Sequence, residues 1–249
     1  MMMIAETVSE IQTPEPAPFI PVVRGPYEFG SREKLADDLA NRLVGVMKER
    51  VEMSPRGVLG GRTYSASHDL PGLGRIFLKQ YAHGGLLRAF TAQLFLAVGP
   101  SRSQEEFLML ELVRSLGVRA PRPLVYVKRG TFFYATWLLM EELQDVRSLV
   151  QVSEEKPDDL KEIMKSVGDQ MAILIKNRVL HIDLHPGNVL VDSAGLVYIV
   201  DFDKARMFGG SPFELRDLYL RRWRRAVIKH ALSPMLTELM SLSLRSYHE

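Results

Sequence analysis

Cysteine is absent from the 249 residues. That excludes disulfides, thiolate zinc sites and cysteine nucleophiles, and it suits a reducing compartment. Net charge is nearly absent too: Lys+Arg 32 against Asp+Glu 30 leaves +2. The chain as a whole is no polycation, so bulk charge gives nucleic-acid binding no support, and any basic footprint must be local. Long hydrophobic runs are missing as well. The longest apolar stretches, such as 94–98 and 137–140, fall far short of the ~20 residues that a spanning helix needs. The opening stretch carries Glu6 and has no basic region before an apolar segment, so no secretory signal is expected. A protein that is soluble, or bound to a membrane surface from the cytoplasmic side, is expected. The rest is ordinary for a globular chain, at 46% hydrophobic and 25% charged. At roughly 100–200 residues per domain, the length fits one large domain or two coupled lobes around a sizeable core.

Proline marks the first boundary. Pro14, Pro16, Pro18, Pro21 and Pro26 predict an extended, strap-like leader over residues 1–26. Leu35, Leu39, Leu43, Val44 and Met47 share one face of a helix expected over 31–53. Gly57, Gly60 and Gly61 mark a turn between two strands, residues 69–74 a second turn, and 75–81 a short strand. A helix is expected over 103–116, with Ser103 as its N-cap, Phe107, Leu110, Val113 and Leu116 on one face, and Gly117 ending it. Strands at 124–127 and 132–140 complete a sheet with one helix. The second half changes character. Pro157 and Asp158 open a helix with Leu160, Ile163, Met164, Val167, Met171, Leu174 and Ile175 on its apolar face. A polar loop at 181–188, strands at 189–191 and 197–200, and a helical tail from Glu214 follow.

The chemistry concentrates in two short segments. His181-Ile182-Asp183-Leu184-His185-Pro186-Gly187-Asn188 forms the polar loop, and Asp201 ends an apolar strand before Phe202 and Asp203. Carboxylate and amide oxygens gathered at element ends suit a hard, oxygen-seeking cation such as Mg2+ and leave one carboxylate free to orient a hydroxyl. Turn chemistry accounts for any one of these residues alone. It explains neither the flanking apolar strands nor Phe202.

At these residues the chain resembles the protein-kinase-like superfamily: His181-x-Asp183-Leu184-x-x-x-Asn188 is similar to its catalytic loop, and Asp201-Phe202 to its metal-binding motif. The resemblance implies that Asp183 is the catalytic base and that Asn188 and Asp201 hold Mg2+ across the phosphates of ATP. It gives His181 a structural part. Lys79, ending a short apolar strand, would pair with the phosphates, and Gly57, Gly60 and Gly61 would let backbone N–H groups approach them. Their spacing departs from G-x-G-x-x-G. Glu106 is the candidate partner for Lys79, with Glu105 as a rival; a Ser103-x-x-Glu106 capping box is a competing reading. Glu141 and Leu143, after Met140, resemble a kinase hinge whose backbone would meet adenine. A plain strand end is the alternative.

Departures from protein kinases narrow the choice. Ile182 replaces the Arg that reads a phosphorylated activation loop, His185 stands where a Lys is usual, and Asp203 replaces the Gly of D-F-G, removing a flexible pivot. The stretch after Asp203 is short for a full helical substrate lobe. Lys79-Gln80-Tyr81-Ala82-His83-Gly84-Gly85-Leu86-Leu87-Arg88 resembles a basic stretch of bacterial 3-deoxy-D-manno-octulosonic acid (Kdo) kinases, although His83 departs from the Arg common there. Ile199-Val200-Asp201-Phe202-Asp203-Lys204-Ala205-Arg206 is similar to another of their segments. Glu106-Phe107 and residues 117–123 fit the lipopolysaccharide kinase family and the related RIO-type kinases. The resemblance spans about residues 57–225. It implies transfer of the ATP γ-phosphate to a sugar hydroxyl of the lipopolysaccharide inner core, Kdo of Kdo-lipid A, at the cytoplasmic face of the bacterial inner membrane.

An anionic glycolipid acceptor in a membrane surface would suit the tail. Arg216, Arg221, Arg222, Arg224, Arg225 and Lys229 lie beside Tyr219, Leu220 and Trp223, the make-up of a basic interfacial helix. A solvated surface helix with Trp223 in the core is the other reading. The expected fold is α+β and bilobal: a leader and helix over 1–53, a β-rich N-lobe over 54–140, and a small, mostly helical C-lobe over 141–249. Competing functions are an atypical kinase acting on protein or another small molecule, and a nucleotide-binding scaffold without catalysis. The complete set of Lys79, Asp183, Asn188 and Asp201 argues against the scaffold. No nucleic-acid partner is expected.

Overall fold

The computed structural model describes residues 17–48, 54–55, 64–81, 95–96 and 99–245. Gly57, Gly60, Gly61 and the 82–88 part of the basic stretch lie outside the described residues. The larger layer is an antiparallel sheet of eight strands. Its strands are β1 (Ile20–Arg24), β2 (Tyr27–Ser31), β3 (Ser54–Pro55), β4 (Tyr64–Leu70), β5 (Gly74–Gln80), β6 (Phe95–Leu96), β7 (Pro123–Arg129) and β8 (Phe133–Glu141). They run in the order β1-β2-β7-β8-β5-β4-β3, and β6 pairs with β8.

The two-residue period of a strand sorts these side chains between two cores. Ala135, Trp137 and Leu139 of β8, Val125 and Val127 of β7, and Ile76 and Leu78 of β5 face α1 (Asp37–Lys48), which contributes Leu39, Leu43 and Met47. Tyr134, Leu138 and Met140 of β8 and Tyr126 of β7 face α2 (Arg102–Ser115), which contributes Phe107, Leu110 and Val113. The sheet is thus covered by one helix on each side.

Three expectations need correction here. The chain from Ile20 to Ser31 is extended, yet it is a β-hairpin paired into the sheet edge and not a separate strap. Pro21 stands in the edge strand, where a missing N–H is tolerated. Second, Tyr27 and Phe29 are drawn into the sheet, so the helix starts at Asp37, with Asp37 and Asp38 in its first turn and Lys48 in its last. Third, α2 is capped by Ser101, whose Oγ accepts the Gln104 N–H at 3.3 Å. Ser103 lies inside the helix, fully buried and hydrogen-bonded to Thr136. Glu106 therefore belongs to no capping box. Gly117, at φ +97°, ends α2 as expected, with the Gly117 and Val118 N–H groups on the carbonyls of Arg114 and Val113.

The remaining helices share the α2 core. They are α3 (Leu149–Glu155), α4 (Leu160–Lys176), α5 (Pro212–Lys229) and α6 (Met235–Ser243). The predicted stripe of α4 is buried throughout. A 3₁₀ turn, Pro157–Asp159, precedes it. Short strands connect the helices: β9 (Arg147–Ser148), β11 (Val189–Val191) and β12 (Val197–Ile199) form a three-stranded sheet, and β10 (Val179–Leu180) pairs with β13 (Arg206–Met207). The α3 helix was not anticipated; it is short and opens with a Ser148–Gln151 capping box.

Candidate active site

Strand parity brings the first pair together. Lys79 has the parity of Phe77, so it leaves β5 on the α2 side, while Ile76 and Leu78 enter the opposite core. There its Nζ meets Glu106 Oε1 at 2.8 Å and Oε2 at 2.7 Å, and Asp201 Oδ1 at 2.6 Å. An ammonium has three N–H donors, and all three are engaged. Tyr81, two residues on, donates its hydroxyl to Glu106 Oε2. The structure therefore selects Glu106 over Glu105, which is exposed.

The electrostatics follow from burial and proximity. Burial opposes the charge on Lys79, but Asp201, Glu106 and Asp203 outweigh it and hold the ammonium well above its usual range. Burial also pushes Asp201 upward, yet the Lys79 charge and hydrogen bond win and set its carboxyl below the ordinary value. Glu106 is raised by its burial, with Lys79 opposing. Only Asp201 of the three is substantially open, its side chain 38% exposed against 6% for Lys79 and 1% for Glu106.

The Asp183 loop is tied to the same strand end. Asn188 Nδ2 donates to the Asp183 carbonyl at 2.9 Å, and the Asn188 carbonyl accepts the Val200 N–H at 3.0 Å. His181 is fully buried, with Nε2 3.0 Å from the Val200 carbonyl and its ring edge-on to Phe202 at 4.7 Å. Burial holds its pKa below the ordinary value, as befits a packing residue. Asp183 itself is exposed. His185 Nδ1 accepts the Gly187 N–H at 3.1 Å, capping the 3₁₀ turn Pro186–Asn188.

From below, α5 carries the loop. The Tyr219 hydroxyl donates to the Val179 carbonyl and accepts the His181 N–H, both at 2.7 Å. Arg222 donates to the carbonyl of Ile182. These contacts went unread in the sequence, although the spacing of Leu215, Tyr219, Trp223 and Val227 marks one buried helical face. Trp223 and Tyr219, each 1% exposed, are thus core residues and not interfacial aromatics, and the Trp223 indole donates to the Leu236 carbonyl at 3.0 Å. Arg102 and Asp203 were missed as a pair. Arg102 Nε donates to Asp203 Oδ1 at 2.6 Å, and Nη2 donates to Oδ2.

Lys79, Glu106 and Asp201 are thus in direct contact, and Asp183 and Asn188 are bonded to each other and to the strand leading into Asp201. Glu141 ends β8, exposed, with its N–H on the Arg122 carbonyl at 2.9 Å. Leu143 follows, half-buried. Among the described residues no cluster of three or more His, Cys, Asp or Glu is arranged to hold a metal ion.

The lipopolysaccharide kinase (Kdo/WaaP) family matches residues 48–232. Among relatives, a 3-deoxy-D-manno-octulosonic acid kinase of Vibrio cholerae is 29% identical over 177 residues, 69% of this chain and 75% of the relative. That of Vibrio parahaemolyticus is 32% identical over 66% of this chain and 73% of its own length. That of Xanthomonas oryzae pv. oryzae is 32% identical over 68% of each. With so much of its length matched, and with Lys79, Glu106 and Asp201 in contact, the chain belongs to the lipopolysaccharide kinase (Kdo/WaaP) family.

Proposed function

We propose that this protein transfers the γ-phosphoryl group of ATP to a hydroxyl of Kdo in the lipopolysaccharide inner core, with Kdo-lipid A as acceptor. The observation that carries the reading is the convergence of Lys79, Glu106 and Asp201, from three remote segments, on one ammonium. The names of the relatives supply the acceptor. Residues 54–140 would be the N-lobe and 141–249 the C-lobe, with nucleotide between them and the backbone of Glu141 and Leu143 facing adenine. Gly57, Gly60 and Gly61 would lie over the phosphates.

In the transfer, the acceptor oxygen bonds to the γ-phosphorus as the bond to the β–γ bridging oxygen breaks, and ADP leaves. Asp183 takes the hydroxyl proton. Glu106 aims Lys79, whose third N–H passes from Asp201 to a phosphate oxygen and frees the Asp201 carboxylate. The donor set fits Mg2+: the partly open carboxylate of Asp201 and the side-chain oxygen of Asn188, whose amide nitrogen is already engaged. Phosphate and water would complete such a shell. Bound there, the ion would supply charge neutralisation across the phosphates.

Localisation at the cytoplasmic face of the inner membrane, as a peripheral protein, belongs to the same reading; no helix among the described residues is long and apolar enough to cross a membrane. The test is incubation with ATP, Mg2+ and Kdo-lipid A followed by mass spectrometry. One added phosphate on the glycolipid is expected, and phosphoprotein without phosphoglycolipid would overturn the acceptor. Asp183→Ala should reduce transfer by at least about 100-fold, the lower range for a general base, with nucleotide affinity retained. Near-normal turnover would remove Asp183 from the chemistry.

A further inference from the structure

Asp203 takes no part in the transfer just described, yet its carboxylate is firmly held beside it. Its side chain is 16% exposed and receives two parallel N–H bonds from the Arg102 guanidinium. Arg102 is in turn held by several contacts. It is the first residue of α2, its backbone N–H reaches the Tyr134 hydroxyl at 3.3 Å, and its guanidinium lies 5.5 Å from the ring centres of both Tyr81 and Phe95. Tyr81 closes the circuit by donating to Glu106, one helical turn beyond Arg102 on the same face of α2. Helix α2 therefore grips both ends of the site: Arg102 holds Asp203, and Glu106 holds Lys79.

The turn between them needs such a hold. Asp201 and Lys204, both at φ +65°, adopt the left-handed backbone that non-glycine residues avoid. Such conformations persist only where the surroundings over-determine them. Here Phe202 is buried, the Ala205 N–H bonds back to the Phe202 carbonyl at 2.9 Å, and Asp203 is clamped. The clamp also settles the charge. Arg102 neutralises Asp203 bidentately, which leaves Asp201 as the carboxylate turned to the open side.

We propose that Arg102 and Asp203 are positioning residues. Their pair locks the 201–203 turn to the first turn of α2, so that Asp201 is held in place beside the Lys79–Glu106 pair without a separate activating event. The inference rests on the kinase reading, and the experiment separates the two. Wild-type protein is first assayed for phosphate transfer to Kdo-lipid A; absence of transfer there sinks the functional reading alone. Hydrogen exchange at amides 201–205 of the nucleotide-free protein then tests the clamp without activity. Asp203→Asn and Arg102→Lys should each speed that exchange. Each should also lower kcat by on the order of 100-fold, the cost of misplacing reacting groups by about 1 Å, with the KM for glycolipid little changed. The exchanged pair Arg102→Asp/Asp203→Arg should recover at least part of kcat over Arg102→Asp alone. Unaltered exchange in the single variants, or full kcat in both, overturns the proposal. So does an exchanged pair no more active than Arg102→Asp despite wild-type thermal stability. If Asp203→Asn fails to fold, Arg102→Lys, which keeps the charge and one bond, carries the same measurements.

Discussion

At the scale of single residues, the contact between Lys79 and Glu106 joins stability to chemistry. The pair is sealed from water, and each partner justifies the burial of the other. Lys79→Met should remove transfer and also destabilise the fold by about 3–5 kcal/mol, because it strands a buried carboxylate. Urea denaturation checks the second effect. Lys79→Met/Glu106→Gln should be more stable than Lys79→Met, since the stranded charge is gone. A single variant as stable as wild type would mean that Glu106 discards its charge at little cost. The sequence offered Glu106 as the partner of Lys79, with Glu105 as a rival; strand parity at Phe77 and Lys79 turns the ammonium toward α2, where Glu106 is the buried one of the two. Asp183, Asn188 and Asp201 were easier to single out as candidates, because they stand in one contiguous loop and at one strand end. Arg102–Asp203 was not legible: Arg102 looks like any helix-start arginine until the sheet packs against α2.

At the scale of elements, helix propensity and packing pull in opposite directions at Gly168. It lies inside α4, where exchange for Ala gains about 0.5–1 kcal/mol when space is open. A Cβ here would lie 2.5 Å from Cβ of Ser243 on α6, whose hydroxyl donates to the Met164 carbonyl at 3.1 Å. Overpacking costs about 1–3 kcal/mol, so Gly168→Ala should lower the melting temperature, and Ser243→Gly in the same chain should restore it. A rise in the single variant would show that α6 yields freely. The α2 cap gives a second contrast. Ser101→Ala should cost about 1 kcal/mol through loss of the N-cap bond. Ser103→Ala acts through a different contact, because it removes one of the Thr136 hydroxyl's two hydrogen bonds inside the core and leaves the one to the Val127 carbonyl at 2.7 Å. Serines two positions apart look interchangeable in sequence. Only docking of the helix on β8 decides which one is the cap. The same reason hid the edge hairpin, since Pro21 and Pro26 argue for extended chain without saying what it pairs with.

At the scale of the whole molecule, α5 has two faces with different tasks. The inner one, Leu215, Tyr219, Trp223 and Val227, is buried, and Arg222 reaches the Asp183 loop through Ile182. The outer one presents Arg221, Arg224, Arg225 and Lys229 around a shallow recess of about 350 Å³, with Ile228 68% exposed among them. No ion pair engages these four cations among the described residues. With Tyr219 and Trp223 committed to the core, any adhesion of this helix to an anionic membrane must come from charge and from its exposed apolar side chains, Ile228 among the cations and Phe213, 55% exposed, at the start of the helix. Charge attraction contributes about 1 kcal/mol per basic side chain near such a surface and is screened by salt. Replacing Arg221, Arg224, Arg225 and Lys229 with Gln should therefore weaken binding to vesicles rich in phosphatidylglycerol at low salt and flatten the salt dependence. Ile228→Ser should weaken binding by a similar factor at every salt concentration, because apolar burial is not screened. Sedimentation with vesicles reads both. If the quadruple variant partitions as wild type does, the outer face of α5 is only solvated, and the acceptor must be met by another surface.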